Sequence, residues 1–136
     1  MGLIPKKTKF RKQQRNRMKG CATAGNTIVF GEYGLMSLES LWLKTNQIES
    51  ARKAITHYLK RGGRVWIRCC ADKPYTARAA ETRMGSGKGD PVGYAACIKP
   101  GHIVFELGGV QPDLAHEALK RAAHKLPFRS KIVVKE

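Results

Sequence analysis

Apolar positions along this chain recur with two different periods, and the changes of period divide it into elements. Asn26 to Leu35 (NTIVFGEYGL) reads as a strand with an irregularity at Gly31, while Gly34 permits a bend or a close backbone approach. Residues 36–43 fit strand or loop equally. Ile48, Ala51, Ile55 and Leu59 then return at helical spacing. Asn46 stands where a cap belongs, Glu49 follows three residues later as in a capping box, and Gly62-Gly63 supply the stop. Residues 64–70 (RVWIRCC) alternate. Val65, Ile67 and Cys69 share one face of a strand, and Arg64, Trp66, Arg68 and Cys70 the other.

Residues 71–93 show no convincing period. They contain Pro74, Pro91 and the run Gly85-Ser86-Gly87-Lys88-Gly89. A stretch of this length without elements inside a compact domain points to a functional loop. Tyr94–Lys99 and His102–Leu107 flank Pro100-Gly101 and predict a β-hairpin. A second helix begins at Pro112, with Asp113 complementing the positive end of its dipole. Leu114, Ala115, Ala118, Leu119, Ala122 and Ala123 form its apolar face, and Pro127 ends it. Phe128–Lys135 closes the chain as a strand. The predicted class is α+β, with a mainly antiparallel sheet and two helices.

Charge changes this picture most at the start. Lys6, Lys7, Lys9, Arg11, Lys12, Arg15, Arg17 and Lys19 fall within the first 19 residues, and no acid precedes Glu32. Half of the net charge of +16 therefore lies in residues 1–31. Such a segment is too charged and too poor in apolar residues to fold by itself. Fully extended it spans roughly 60 Å, against a radius of gyration of about 14 Å for a compact chain of this length. The division that follows is a basic extended arm over residues 1–25 and a single domain over 26–136, with a long loop at about 71–93. The arm calls for a polyanion, and nucleic acid fits. Arg52, Lys53, Lys60 and Arg61 decorate the outer side of the first helix, a face that is either solvated surface or RNA contact. Arg64, Trp66 and Arg68 either clamp nucleic acid by stacking or pack the tryptophan under the arginine stems. The 71–93 loop carries a net charge of only +1, so its use rests on flexibility and a few placed cations, Arg78, Arg83 and Lys88.

Other chemistries find little support. No apolar run approaches the roughly 20 residues of a membrane span, and the arm has neither an amphipathic stripe nor a signal-peptide core. It also lacks the serine-rich amphipathic character of an organellar presequence. Gly-Ser-Gly-Lys-Gly is not a phosphate loop of the nucleotide-hydrolase type, because Gly89 stands where the metal-binding hydroxyl belongs and no helix begins there. Cys21, Cys69, Cys70 and Cys97 have no zinc spacing and are read as reduced, buried small hydrophobes. His57, His102, His116 and His124 are scattered, and the ten acids form no cluster for nuclease metals. The expectation is no enzyme, no metal, no cofactor and no small-molecule substrate.

A series of motifs then runs through the chain. Pro5-Lys6-Lys7-Thr8-Lys9-Phe10-Arg11-Lys12 is followed by Phe30-Gly31-Glu32-Tyr33-Gly34-Leu35 and Gln47-Ile48-Glu49-Ser50-Ala51-Arg52. Val65-Trp66-Ile67-Arg68, Asp72-Lys73-Pro74 and Glu81-Thr82-Arg83-Met84-Gly85-Ser86-Gly87-Lys88-Gly89 come next. Lys99-Pro100-Gly101, Gly108-Gly109-Val110 and Ala122-Ala123-His124-Lys125-Leu126-Pro127 complete the set. Together they resemble the bacterial-type large-subunit ribosomal protein family "L sixteen" over nearly the whole chain. The resemblance implies an α+β sandwich with two helices on a mixed sheet and a hammerhead-like β element. It also implies binding to large-subunit rRNA near the aminoacyl-tRNA site and the peptidyl-transferase centre, with the RNA doing the chemistry. The implied partners are rRNA, tRNA and other large-subunit proteins, on a ribosome of a bacterial cytoplasm or an organelle. Carried over, the arm cations from Lys6 to Lys19 neutralise rRNA phosphates, with Arg52, Lys60, Arg61, Arg64 and Arg68 as further contacts. Arg78, Arg83, Met84, Gly85, Gly87 and Lys88 form the loop near tRNA. The chain departs from the family at Val92-Gly93-Tyr94, where an acidic-aromatic-aromatic run is usual, and at Cys69-Cys70-Ala71, where Val-Phe-Pro is usual. A free RNA chaperone or nucleic-acid-binding regulator is the alternative reading of the same basic surface.

Overall fold

The computed structural model describes residues 3–136, so Met1 and Gly2 of the arm lie outside the described residues. Two antiparallel sheets share one core. The first has the order β3-β6-β1-β7 and comprises β1 (Tyr33–Ser37), β3 (Arg64–Ile67), β6 (Ile103–Gly108) and β7 (Ser130–Val134). The second has the order β2-β5-β4, with β2 (Leu41–Lys44), β4 (Lys73–Ala77) and β5 (Asp90–Ile98). All five ladders are antiparallel, so the mixed sheet implied by the family resemblance is not found among the described residues. The helices α1 (Thr45–Tyr58) and α2 (Pro112–Ala123) pack against each other. Leu35, Phe105 and Leu107 of the first sheet join Ile48, Ile55 and Leu119 of the helices in the core.

Helix α1 starts differently from the capping pattern in the sequence. Its N-cap is Lys44, and the Gln47 side chain accepts the Lys44 backbone N–H at 3.0 Å. Glu49 is thereby free to pair with Arg52 one turn on. The C-terminus is a Schellman cap. Lys60 donates its N–H to His57 and Arg61 donates to Thr56, closing the last turn. Lys60 stands at φ 50°, in the left-handed place that glycine usually takes. Helix α2 begins with Pro112 at its first turn, as the sequence indicates, but Leu114 is exposed and the buried stripe is Ala115, Ala118, Leu119 and Ala122.

Three strand assignments change. The strand expected over Asn26–Leu35 begins only at Tyr33, because the backbone N–H groups of Val29, Phe30 and Gly31 bond a side chain rather than a ladder. The stretch 71–93 is not structureless. It contains β4 and the start of β5, which pair from Lys73↔Ala95 to Ala77↔Asp90 and leave a tip of residues 78–89. Finally, Pro100-Gly101 does make a turn, closed by the His102 N–H on Lys99 at 3.1 Å, but it does not join a hairpin. Strand β5 pairs with β2 and β4, whereas β6 pairs with β1 and β3. The turn hands the chain from one sheet to the other.

Candidate nucleic-acid interface

Among its described residues the arm contains no helix or strand, yet they are laid along the domain rather than projecting from it. Leu3 packs against the core beside α1. Gln13, Gln14 and Arg15 then cross the outer face of the second sheet, where they line a shallow cavity with Trp42, Pro74, Tyr75 and Thr76. In register, Trp42 and Lys44 of β2 share that face with Lys73 and Tyr75 of β4. The Lys73 ammonium sits 4.9 Å from the Trp42 ring centroid and the Lys44 ammonium 5.4 Å from that of Tyr75. Lys73 also donates to the Arg15 carbonyl. The chain returns to the domain through Ala22, whose N–H bonds Pro100, and Gly25, whose carbonyl accepts from Ile103. Every one of these hydrogen bonds uses the arm's backbone and leaves its cationic side chains unused.

Among the described residues, only two arm cations approach an acid. Arg11 and Lys12 lie 3.7 and 3.9 Å from Asp90, in an exposed cluster that contributes little to stability. Among the described residues, Lys6, Lys7, Lys9, Arg15, Arg17 and Lys19 make no ion pair, and all six are exposed.

The tip of the β4–β5 hairpin stands beside the arm. Lys88 donates to the Gln13 carbonyl, Lys12 donates to the Lys88 carbonyl at 3.2 Å, and Arg78 donates to Gly87 across the base of the tip. Gly85, Ser86 and Gly87 all have positive φ, at 113°, 61° and 89°. Two glycines make that run of left-handed backbone accessible. Arg83 is exposed and Met84 is fully exposed. Of the loop residues singled out in the sequence, Arg83 and Met84 face outward, while Arg78 and Lys88 fasten the tip to itself and to the arm. At the departure from the family pattern, the Tyr75 ring lies over Gly93, where a Cβ would stand 2.6 Å from its hydroxyl.

The cations of the first sheet are held differently. Glu106, in the apolar strand Ile103–Gly108, has no solvent exposure. It accepts the N–H groups of Val29 (3.1 Å), Phe30 (2.7 Å) and Gly31 (2.8 Å), together with the Arg68 guanidinium. Gly31 is required there, because a Cβ would come within 2.6 Å of the Leu107 carbonyl oxygen. Burial opposes ionisation of Glu106 most strongly, but the three backbone donors and Arg68 together outweigh it and hold the carboxyl below its ordinary range. Arg68 also covers the Phe30 ring at 5.1 Å, and Phe30 stacks on Trp66 at 6.2 Å and 19°. Arg68, expected among the RNA contacts, has its charge neutralised inside the molecule and lies against Phe30, as in the packing alternative. Arg52 is likewise engaged, by Glu49 at 3.0 Å, and that bond is the main cause holding the Glu49 carboxyl low. Lys60, Arg61 and Arg64 remain exposed and outside any ion pair among the described residues. Glu106 was missed in the sequence, although a lone acid within IVFELG was its signal.

The cysteines also need correction. Cys21, Cys70 and Cys97 are exposed, and only Cys69 is sheltered, its thiol pushed up to about 12 by burial. Among the described residues, no three histidine, cysteine or acidic side chains gather as a metal site would require, and no helix is long and apolar enough to cross a membrane.

Residues 5–133 match the family described as Ribosomal protein L16p/L10e. The chain is 59% identical over 134 residues to the large ribosomal subunit protein uL16c of Gracilaria tenuistipitata, covering 98% of this chain and 99% of that one. It is 57% identical over 134 residues to the uL16 protein of Trichodesmium erythraeum, covering 98% of each. It is 58% identical over 133 residues to the uL16c protein of Porphyra purpurea, covering 98% and 96%. With a family match over almost the full length and relatives this similar end to end, the chain belongs to the Ribosomal protein L16p/L10e family.

Proposed function

We propose that this chain is a structural constituent of the large ribosomal subunit, in a bacterial cytoplasm or an organelle. It holds large-subunit rRNA with its arm and presents the hairpin tip towards tRNA near the aminoacyl site. The observation that carries this reading is the arm itself: its backbone is fastened to the domain while six exposed cations make no ion pair among the described residues. Phosphates supply that missing charge, and released counterions supply the driving force. Arg83 and Met84 at the tip are the groups that meet tRNA, with Gly85 and Gly87 shaping the turn and Arg78 and Lys88 fixing its position. The other partners are neighbouring large-subunit proteins. No residue is assigned a catalytic role, and the chemistry belongs to the RNA.

Sedimentation tests this directly. A tagged chain expressed in its own cell should travel with large subunits at high magnesium. Recovery only as free protein would overturn the assignment. Similar affinity for unrelated RNAs at matched salt would favour the chaperone or regulator reading.

A further inference from the structure

Two clefts share Phe30, Trp66 and Gly63 as a common wall. The larger, about 520 Å³, runs between that wall and the end of α1 and is lined also by Arg52, Thr56, Arg61 and Arg68. Its size falls within the roughly 300–1,000 Å³ of sites that accept small ligands. No acid lines it, whereas the smaller cleft includes Glu32. The wall is aromatic and the rim cationic, but two of the cations, Arg52 and Arg68, are neutralised by Glu49 and Glu106. That leaves Arg61 as the charge available to an incoming anion.

Backbone conformation adds an independent observation. Lys60 and Arg61 both adopt left-handed φ, 50° and 65°, immediately before Gly62 and Gly63. A cap built for stability alone places glycine first in such a run. Here the strained positions carry long cations, and strain of this kind collects where a side chain must be presented. Phe30 is 60% exposed even though it stacks on Trp66 and lies against Arg68, so much of its surface remains open.

From this geometry we infer that the larger cleft is a stacking site for one unpaired nucleotide of RNA, with its base against Phe30–Trp66 and its phosphate at Arg61. This deepens the proposed function and rests on its RNA-binding reading. A base inside a duplex cannot enter the cleft, because both of its faces are already stacked. The site therefore selects an extruded or single-stranded residue. The 6.2 Å between the two rings leaves no room for a base between them, so the base lies on the cleft side of the pair.

The test uses the full chain carrying Trp42→Phe, which leaves Trp66 as the only tryptophan of two. An adenine octaribonucleotide with a fluorescent 5′ label is titrated single-stranded and as a duplex at matched salt. Binding is read by anisotropy and stacking by Trp66 emission. The single strand should quench Trp66 at saturation and the duplex should not. In the otherwise natural chain, Phe30→Leu should weaken single-strand binding about fivefold with an unchanged salt slope, and Arg61→Gln should lower the slope by about 0.7. Binding of the octamer without quenching, equal quenching by the duplex, or no effect of Phe30→Leu would overturn the stacking site while leaving RNA binding intact. If neither the octamer nor large-subunit rRNA bound, the RNA reading would fall together with the site.

Discussion

Arg68 and Arg17 carry the same charge, yet they serve opposite sides of the protein surface. Arg68 is drawn in by a carboxylate with no solvent exposure and spreads over an aromatic ring. Arg17 is exposed on a segment whose anchoring bonds are made by its neighbours' backbone, and it has no ion-pair partner among the described residues. Glu106 thus neutralises Arg68 within the molecule, while the arm over the second sheet leaves its charge for something else. The difference shows that a count of cations does not identify a binding surface. What identifies it is the set of cations left over after the internal acids have been assigned.

The largest effect expected from this contrast is at Glu106. Glu106→Gln leaves the half-buried Arg68 without its counter-charge and should cost about 3 kcal/mol, measured by urea unfolding. A change below about 0.5 kcal/mol would mean that the node is not structural. The same group sets an acid limit. Its carboxyl is lower in the folded state than in the unfolded chain, so its contribution is complete above the ordinary glutamate value, about 4.3. It is lost as pH falls through the lower folded value. Stability of the natural chain should therefore drop below about pH 4, and Glu106→Gln should remove the part of that slope that this group supplies.

A reversed pattern is expected in the arm. Lys6→Gln, Lys7→Gln and Lys9→Gln together should leave stability within about 0.5 kcal/mol, because none of the three makes an ion pair. At physiological salt the triple variant should still lose roughly tenfold in rRNA affinity. Lys60→Gly sharpens the comparison within a single residue. Replacing a left-handed lysine should raise stability by about 1 kcal/mol while weakening RNA binding. Unchanged binding would show that the strained cation serves no partner. The smallest effect on the fold should come from Arg83→Gln or Met84→Ala at the tip. Neither should change thermal unfolding or subunit assembly, while tRNA accommodation should slow.

Helix positions and the core stripe of α2 were legible because 3.6-residue periodicity and Pro112 are local signals. Strand β4 was not, because Pro74 within Lys73–Ala77 reads as a breaker. It is tolerated there because β4 is an edge strand of its sheet. Nor could local pattern separate β5 from β6. Pro100-Gly101 specifies a turn, but long-range pairing decides that its two strands join different sheets. For the proposed interface, the sequence shows a cationic arm and a glycine-rich tip. It could not say that the arm is fastened by its backbone, or that Arg68 is already paired, since Glu106 lies 38 residues from Arg68. Phe30 and Trp66 are likewise distant in the chain and meet only because Glu106 draws in residues 29–31.

The most direct test of the separation between paired and unpaired cations is the salt dependence of large-subunit rRNA binding. Wild type is compared with the Lys6→Gln, Lys7→Gln, Lys9→Gln variant and with the double variant Glu49→Gln, Arg52→Gln. The arm variant should lower the log–log slope by about 2 to 3, and the double variant should leave it unchanged. A double variant that flattened the slope as much as the arm variant would contradict the account, because an arginine paired within the molecule would then be counting as an RNA contact.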